Sequence, residues 1–250
     1  SGGAGQIMEV FVLGSGNDSM IGSTYNETVY GGAGNDTLSS NNYANNANGP
    51  LSNGTRGDLL DGGAGNDWVN YSYEITSPVT IDLAAATATA FFDSNNVDTL
   101  VSIENVLGTV AADKITGDAG ANILDGYTGN DVIVGGGGND TIYGGIGFDS
   151  VTTGAGDDLV YLTNDTAGTG EGWTNGWGTV TNSATVGEGN NTVVGSNNSD
   201  SIVAGSGNDS ILALNGNDTI QAGDGNNTIL GYGTAEIYVT TGTGNDYIVA

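Results

Sequence analysis

Residues 108–161 divide without a gap into six nine-residue units: GTVAADKIT, GDAGANILD, GYTGNDVIV, GGGGNDTIY, GGIGFDSVT and TGAGDDLVY. The same period runs through 186–230 (VGEGNNTVV, GSNNSDSIV, AGSGNDSIL, ALNGNDTIQ, AGDGNNTIL) and 13–39 (LGSGNDSMI, GSTYNETVY, GGAGNDTLS). A pair, NGTRGDLLD and GGAGNDWVN, covers 53–70, and TGTGNDYIV at 241–249 follows after a slip of one residue. A unit this short cannot bury a core alone, so repetition must build one continuous core by stacking. Position 8 is apolar throughout, from Met20, Val29 and Leu38 to Ile211, Ile220 and Ile229. A single inward side chain flanked by Ser, Thr or Tyr fits a very short strand. Glycines at positions 2 and 4 supply the left-handed or crowded conformations of a tight turn. Each unit thus predicts a six-residue turn and a three-residue strand, and two units make a coil of about eighteen residues. The fold class expected is all-β, built of stacked two-strand coils.

Position 6 constrains the chemistry. It is Asp at Asp18, Asp36, Asp58, Asp67, Asp113, Asp131, Asp140, Asp149, Asp158, Asp200, Asp209, Asp218 and Asp246. Coils stacked about 4.8 Å apart align Asp113, Asp131 and Asp149 in one column and Asp140 and Asp158 in another. Two carboxylates about 5 Å apart repel by roughly 3 kcal/mol at an effective dielectric of about 20. Repeated down a column, that exceeds the stability of a typical domain. The chain has no internal remedy, because 29 Asp plus Glu face only Lys114 and Arg56, for a formal charge of −27. A cation between turns reverses the sign. With no His and no Cys in the chain, oxygen ligands favour Ca²⁺ over Zn²⁺, and irregular geometry favours it over Mg²⁺.

The units GGAGNDTLS at 31–39, GGAGNDWVN at 62–70 and GGGGNDTIY at 135–143 resemble the RTX nonapeptide G-G-x-G-x-D-x-U-x, the haemolysin-type calcium-binding repeat. The resemblance covers roughly two thirds of the chain. It implies a parallel β-roll, or right-handed β-solenoid, with several Ca²⁺ ions between turns on the same side. It implies ligands from the position-6 carboxylates together with backbone carbonyls of the glycine-rich turns. On this sequence those turns contain Gly32, Gly34, Gly63, Gly65, Gly129, Gly136, Gly138, Gly145, Gly147, Gly154, Gly156, Gly205, Gly207 and Gly216. It also implies type I export, with folding outside the cell. Where Asn122, Asn191 and Asn227 replace the aspartate, or Glu27 and Glu236 stand in with a longer arm, weaker ion sites are expected.

The organisation expected is a first block at 1–70 with a loop insertion at 40–52, then a spacer or β-excursion at 71–107. A central block at 108–161, an aromatic insertion at 162–185 and a last block at 186–250 follow. The spacer resembles those found between RTX blocks and is expected to continue the same core. Trp173 and Trp177, with Tyr161 on the neighbouring strand, are candidates for stacking on a sugar or partner, against a simpler role in covering a coil edge. The many N-x-S/T sequons follow from the repeat itself. Position 3 is Thr only at Thr24, Thr55, Thr128 and Thr243, too sparse for an ice-binding face.

Several function classes are excluded. Nucleic-acid binding needs clustered Lys and Arg, and an anionic membrane repels so acidic a chain. No apolar run reaches the length of a transmembrane helix. Without His, Cys or a basic cluster, neither a Ser-His-Asp or Cys-His site nor a phosphoryl-transfer site can be built, so no enzyme activity is expected. No secretory leader is visible, and the chain reads as a processed or excised piece of something longer. The function expected is an extracellular, calcium-rigidified structural or adhesive module, as in adhesins and S-layers. Its partners would be calcium and a cell-surface, matrix or self-association contact. The alternative is the accessory export and folding region of a larger secreted enzyme or toxin.

Overall fold

The computed structural model describes residues 9–23, 26–40, 57–73, 77–90, 97–162, 181–232 and 236–250. These residues form two sheets and no helix, so no described helix is long and apolar enough to cross a membrane. Successive strands alternate between a 13-stranded sheet A and an 11-stranded sheet B. This is the parallel β-roll expected from the repeat. Each half-coil places its three-residue strand over the equivalent strand eighteen residues away: Ile115 on Ile133 on Val151 in sheet A, and Leu124 on Ile142 on Val160 in sheet B.

The register follows from one side chain per unit. Leu38, Leu60, Val69, Ile115, Leu124, Ile133, Ile142, Val160, Ile202, Ile211, Ile220 and Ile229 are at most 1% exposed and form one core between the sheets. Slipping a strand by one residue would send its apolar side chain outward and its Ser or Thr inward. Each such burial contributes about 1.5–3 kcal/mol, which is thin support for ordering nine backbone units. Much of the fold therefore depends on how the six-residue turns settle their polar groups.

Two regions depart from the period. In the expected spacer, Val79–Asp82, Thr87–Ala90 and Val97–Val101 form an antiparallel meander inserted in sheet A, while Trp68–Asn70 pairs directly with Asn105–Leu107 in sheet B. Sheet A so gains two strands, about 10 Å of extra width on one side. Val79, Ile81, Leu83, Ala88, Leu100 and Tyr71 of this region belong to the core. The second departure concerns the segment 162–185 read as an insertion. The roll resumes before its end, because Asn182–Thr185 pairs between Ser150–Ala155 and Asp200–Val203. Trp173, Trp177 and the segment 41–56 lie outside the described residues. Tyr161 stacks flat on Tyr143, with ring centroids 5.1 Å apart and planes 4° from parallel.

Candidate metal centre

The turns stack as two ladders. In each, the position-6 side chain reaches back to the coil before it: the Asp131 N–H donates to Asp149 Oδ1 at 3.0 Å, and the Asp140 N–H to Asp158 Oδ1 at 2.9 Å. One ladder runs through Glu27, Asp58 and Asp98, resumes beyond the meander at Asp113, and continues through Asp131, Asp149 and Asn182. Asp200 and Asp218 extend it. The other carries Asp18, Asp36 and Asp67, then Asn122, Asp140, Asp158, Asn191, Asp209, Asn227 and Asp246. The two columns read from the spacing are therefore the two turn ladders of the roll.

Because Oδ1 is spent on the ladder, the carboxylate is held with Oδ2 facing its own turn. In Asp36, Asp67, Asp131, Asp140, Asp149, Asp158 and Asp209 that buried Oδ2 has no hydrogen-bond partner. Asp58 Oδ2 is likewise buried, with the Ser40 side chain beside the carboxyl. Each such acceptor is costly in a medium of low dielectric. Burial pushes Asp131 up to about 8, opposed by the Asp113 N–H and reinforced by the charges of Asp113, Asp149 and Asp125. Burial likewise pushes Asp58, Asp140, Asp149 and Asp218 up to about 6. Asp67 and Asp209 are raised for the same first reason. Lys114, the one described basic side chain, is exposed.

Position 1 completes the geometry, and the sequence reading had given it no part. A Cβ built on Gly126 would lie against Asp131 Oδ2 and 2.5 Å from the Gly144 carbonyl of the next coil. One built on Gly135 would lie against Asp140 Oδ2 and 2.8 Å from Thr153 O. Neither glycine has a positive φ, so glycine is there for space. The bare side of position 1 keeps open a cradle between the unpartnered carboxylate oxygen and a carbonyl one coil on. The signal lies in the units beginning GG, where turn conformation alone accounts for positions 2 and 4 and leaves the first glycine unexplained.

Every glycine named from the sequence except Gly205 has a positive φ. The close stacking is clearest at Gly136, φ +111°, where a Cβ would collide with Asp118 O of the coil below. Tyr127 and Leu214 hold the same position-2 conformation without being glycine, at φ 70° and 66°. A position-5 ladder, also missed, runs along the outside of the turns: the Asp157 N–H donates to Asn139 Oδ1 and the Asn226 N–H to Asn208 Oδ1. Its signal was the recurrent Asn before the aspartate.

No three acidic side chains converge on one point among the described residues. A cation in these turns must therefore combine carboxylate oxygen with backbone carbonyls. That is a set of hard oxygens in irregular array, which suits Ca²⁺. The unpartnered Oδ2 atoms, the open cradles and the absence of nitrogen or sulfur ligands all fit that ion.

Not every position-6 residue has this form. Asp113 Oδ2 accepts the Thr109 N–H at 2.6 Å, and Asp200 Oδ2 accepts the Ser196 N–H at 2.6 Å. Burial still raises both carboxyls, against these hydrogen bonds. Asn182 and Asn191 turn amide nitrogens toward oxygen acceptors.

The family described as RTX calcium-binding nonapeptide repeat (4 copies) matches residues 13–42, 53–71, 107–142, 134–166, 185–220 and 212–237. No curated protein matches the chain.

Proposed function

This chain belongs to the RTX calcium-binding nonapeptide repeat family, and from that premise we propose that it works as an extracellular structural or adhesive module whose turns calcium locks. The module itself is a calcium-binding β-roll. The ligands proposed are Asp36, Asp67, Asp131, Asp140, Asp149, Asp158 and Asp209, with carbonyls such as Gly144 O and Thr153 O. The observation that carries this reading is the series of buried Oδ2 atoms without a donor. An anionic oxygen held beside carbonyl oxygens is unfavourable until a cation joins them, and then the same arrangement is a coordination shell. Calcium binding is then largely folding free energy, released where calcium is abundant. That dependence suits a protein exported unfolded and assembled outside the cell. A stiff rod with an outer face of Ser, Thr and Tyr suits a spacing or adhesive role.

The test is circular dichroism of the whole chain through a cycle of EGTA and Ca²⁺, with bound calcium counted by equilibrium dialysis. Cooperative loss and return of the β signal is expected, with Asp131→Asn and Asp149→Asn each releasing calcium. A β signal untouched by complete chelation, or a calcium count insensitive to these substitutions, defeats the reading.

A further inference from the structure

Two kinds of turn differ at position 2, while Glu27 keeps a buried unpartnered Oε2 beside Ser23 and Asp209 an unpartnered Oδ2 although Gly205 has no positive φ. In nine described turns position 2 has a positive φ: Gly14, Gly32, Gly63, Tyr127, Gly136, Gly145, Gly154, Leu214 and Gly223. Six of the nine residues four positions later, Asp36, Asp67, Asp131, Asp140, Asp149 and Asp158, carry a buried Oδ2 without a partner. In four other turns position 2 is Ser23, Thr109, Asp118 or Ser196, none with a positive φ. There the position-2 N–H donates to the position-6 side chain: Ser23 to Glu27 Oε1 at 3.0 Å, Thr109 to Asp113 Oδ2 at 2.6 Å, Asp118 to Asn122 Oδ1 at 2.9 Å and Ser196 to Asp200 Oδ2 at 2.6 Å. The physical cause is local. A side chain at position 2 disfavours the left-handed turn, and the alternative conformation aims the N–H back into the loop, at the spot the carboxylate faces. The Thr109 and Ser196 hydroxyls add a second donor to the same carboxyls, at 2.8 and 3.0 Å.

A second device serves turns whose position-6 residue is Asn. Asn191 Oδ1 accepts the Asp158 N–H at 3.0 Å, which fixes which end of the amide is oxygen. Its Nδ2 must then face the turn, where it meets Gly187 O at 3.3 Å, Gly189 O at 3.2 Å and Asp209 Oδ1 at 3.1 Å. Asn182, held by the Asp149 N–H, sends its Nδ2 to Asp200 Oδ1 at 3.1 Å and Ser196 Oγ at 3.0 Å. Where Asp presents an unpaired anion to the oxygens of the turn, Asn presents a donor.

We propose that these turns are built to close without calcium: a position-2 N–H or a position-6 amide takes the ion's place, so Asp113, Asn122, Asn182, Asn191 and Asp200 hold none. They are not scattered. Asp113 and Asn122 lie in the coils just before the run Asp131, Asp140, Asp149 and Asp158, and Asn182, Asn191 and Asp200 lie just after it. The central calcium block is thereby framed by coils whose stacking needs no metal, and each is a ready surface on which the first calcium-bound turn can form. The inference rests on the calcium role of the unpartnered aspartates proposed above, and its test keeps the two apart.

Bound calcium per chain is counted by equilibrium dialysis for the whole protein and four single variants, Asp131→Asn, Asp149→Asn, Asp113→Asn and Asp200→Asn. The first two are expected to lose about one ion each and the last two none. A fifth variant, Asp118→Gly with Asn122→Asp, restores the full glycine-type turn and is expected to gain about one ion, whereas Asn122→Asp alone gains none. Loss of an ion from Asp113→Asn or Asp200→Asn, or a gain from Asn122→Asp alone, overturns the inference and leaves the parent reading intact. If Asp131→Asn and Asp149→Asn lose nothing, the parent reading falls and this one with it. Should the double variant fail to fold, the Asp113 and Asp200 counts still decide.

Discussion

The central coils at 126–161 and the last coils at 182–230 share one backbone but settle their turns differently. Both stack at eighteen residues, and both bury the apolar side chain at position 8, Ile133 and Ile142 in one and Ile202 and Ile211 in the other. In the central coils all four position-6 residues are Asp with an unpartnered Oδ2, and three of four position-1 residues are glycine. In the last coils three of the six position-6 residues from 182 to 227 are Asn, and among the described residues there only Asp209 has a fully buried Oδ2 without a partner. Position 1 there is Val186, Ala204, Ala213 or Ala222 except at Gly195, so the cradle is mostly filled. The roll can thus be balanced either by an imported cation or by its own N–H groups. The consensus aspartate alone does not say which.

The largest expected difference is in response to calcium removal. With EGTA, hydrogen–deuterium exchange should speed up first and most across 126–161, while the amides of 182–230 keep protection longer. Uniform loss of protection across both blocks would break the comparison, because it would mean that the amide-closed turns have no stability of their own.

Acidity should separate the metal-free and calcium-bound forms. Asp131, Asp140 and Asp149 have folded-state values raised to about 8, 6 and 6 by burial, above the unfolded value near 4. The folded state without metal therefore binds more protons than the unfolded chain between about pH 4 and 8. Its stability is greatest at the acid end and is lost as pH rises through that window. Calcium requires the deprotonated form, so affinity rises over the same window. Thermal unfolding in EGTA should give a higher Tm at pH 5 than at pH 8, and the order should reverse in saturating Ca²⁺. The same order in both conditions would mean that the buried carboxylates are not where calcium acts.

A third contrast exchanges the two devices. Asn191→Asp puts a carboxylate oxygen against Gly187 O, Gly189 O and Asp209 Oδ1, with buried Val186 at position 1. Losing the amide donor and burying an unpaired acceptor should cost about 1–3 kcal/mol by urea denaturation, with little recovery in Ca²⁺. Asp140→Asn should instead stabilise the metal-free chain while lowering its calcium count. Full rescue of Asn191→Asp by calcium would show that a filled position 1 does not close the site.

Much of this was legible in the sequence, and the part that was not has a common cause. The eighteen-residue coil, the Asp113–Asp131–Asp149 column and the buried position 8 follow from period and residue type, each fixed by one position. Whether Asp113 resembles Asp131 depends on the φ of Thr109, four residues earlier, and a reading that scores position 6 by itself treats the two alike. Asn182 was hidden for a different reason. It takes its place above Asp149 across 33 residues instead of 18, and no period reveals that. The meander at 79–101 pairs antiparallel strands, which a parallel repeat gives no reason to expect in detail. Position 1 was overlooked because its glycine needs no special φ. Its requirement comes from an oxygen one coil away.

The smallest expected effect is one the two blocks should share. Asn139 in the central block and Asn208 in the last each accept a backbone N–H from the next coil on the exposed side of the turns, from Asp157 at 3.1 Å and Asn226 at 2.8 Å. Removing either side chain deletes one solvent-exposed hydrogen bond, so Asn139→Ala and Asn208→Ala should each cost about 0.5 kcal/mol, the low end for such a bond. Neither oxygen faces a cradle. The cost should accordingly be the same in both blocks, and the calcium count should not change. If Asn139→Ala lowers calcium affinity while Asn208→Ala does not, the outer ladder also sets the aim of the position-6 carboxylates, and the blocks differ by more than positions 1, 2 and 6.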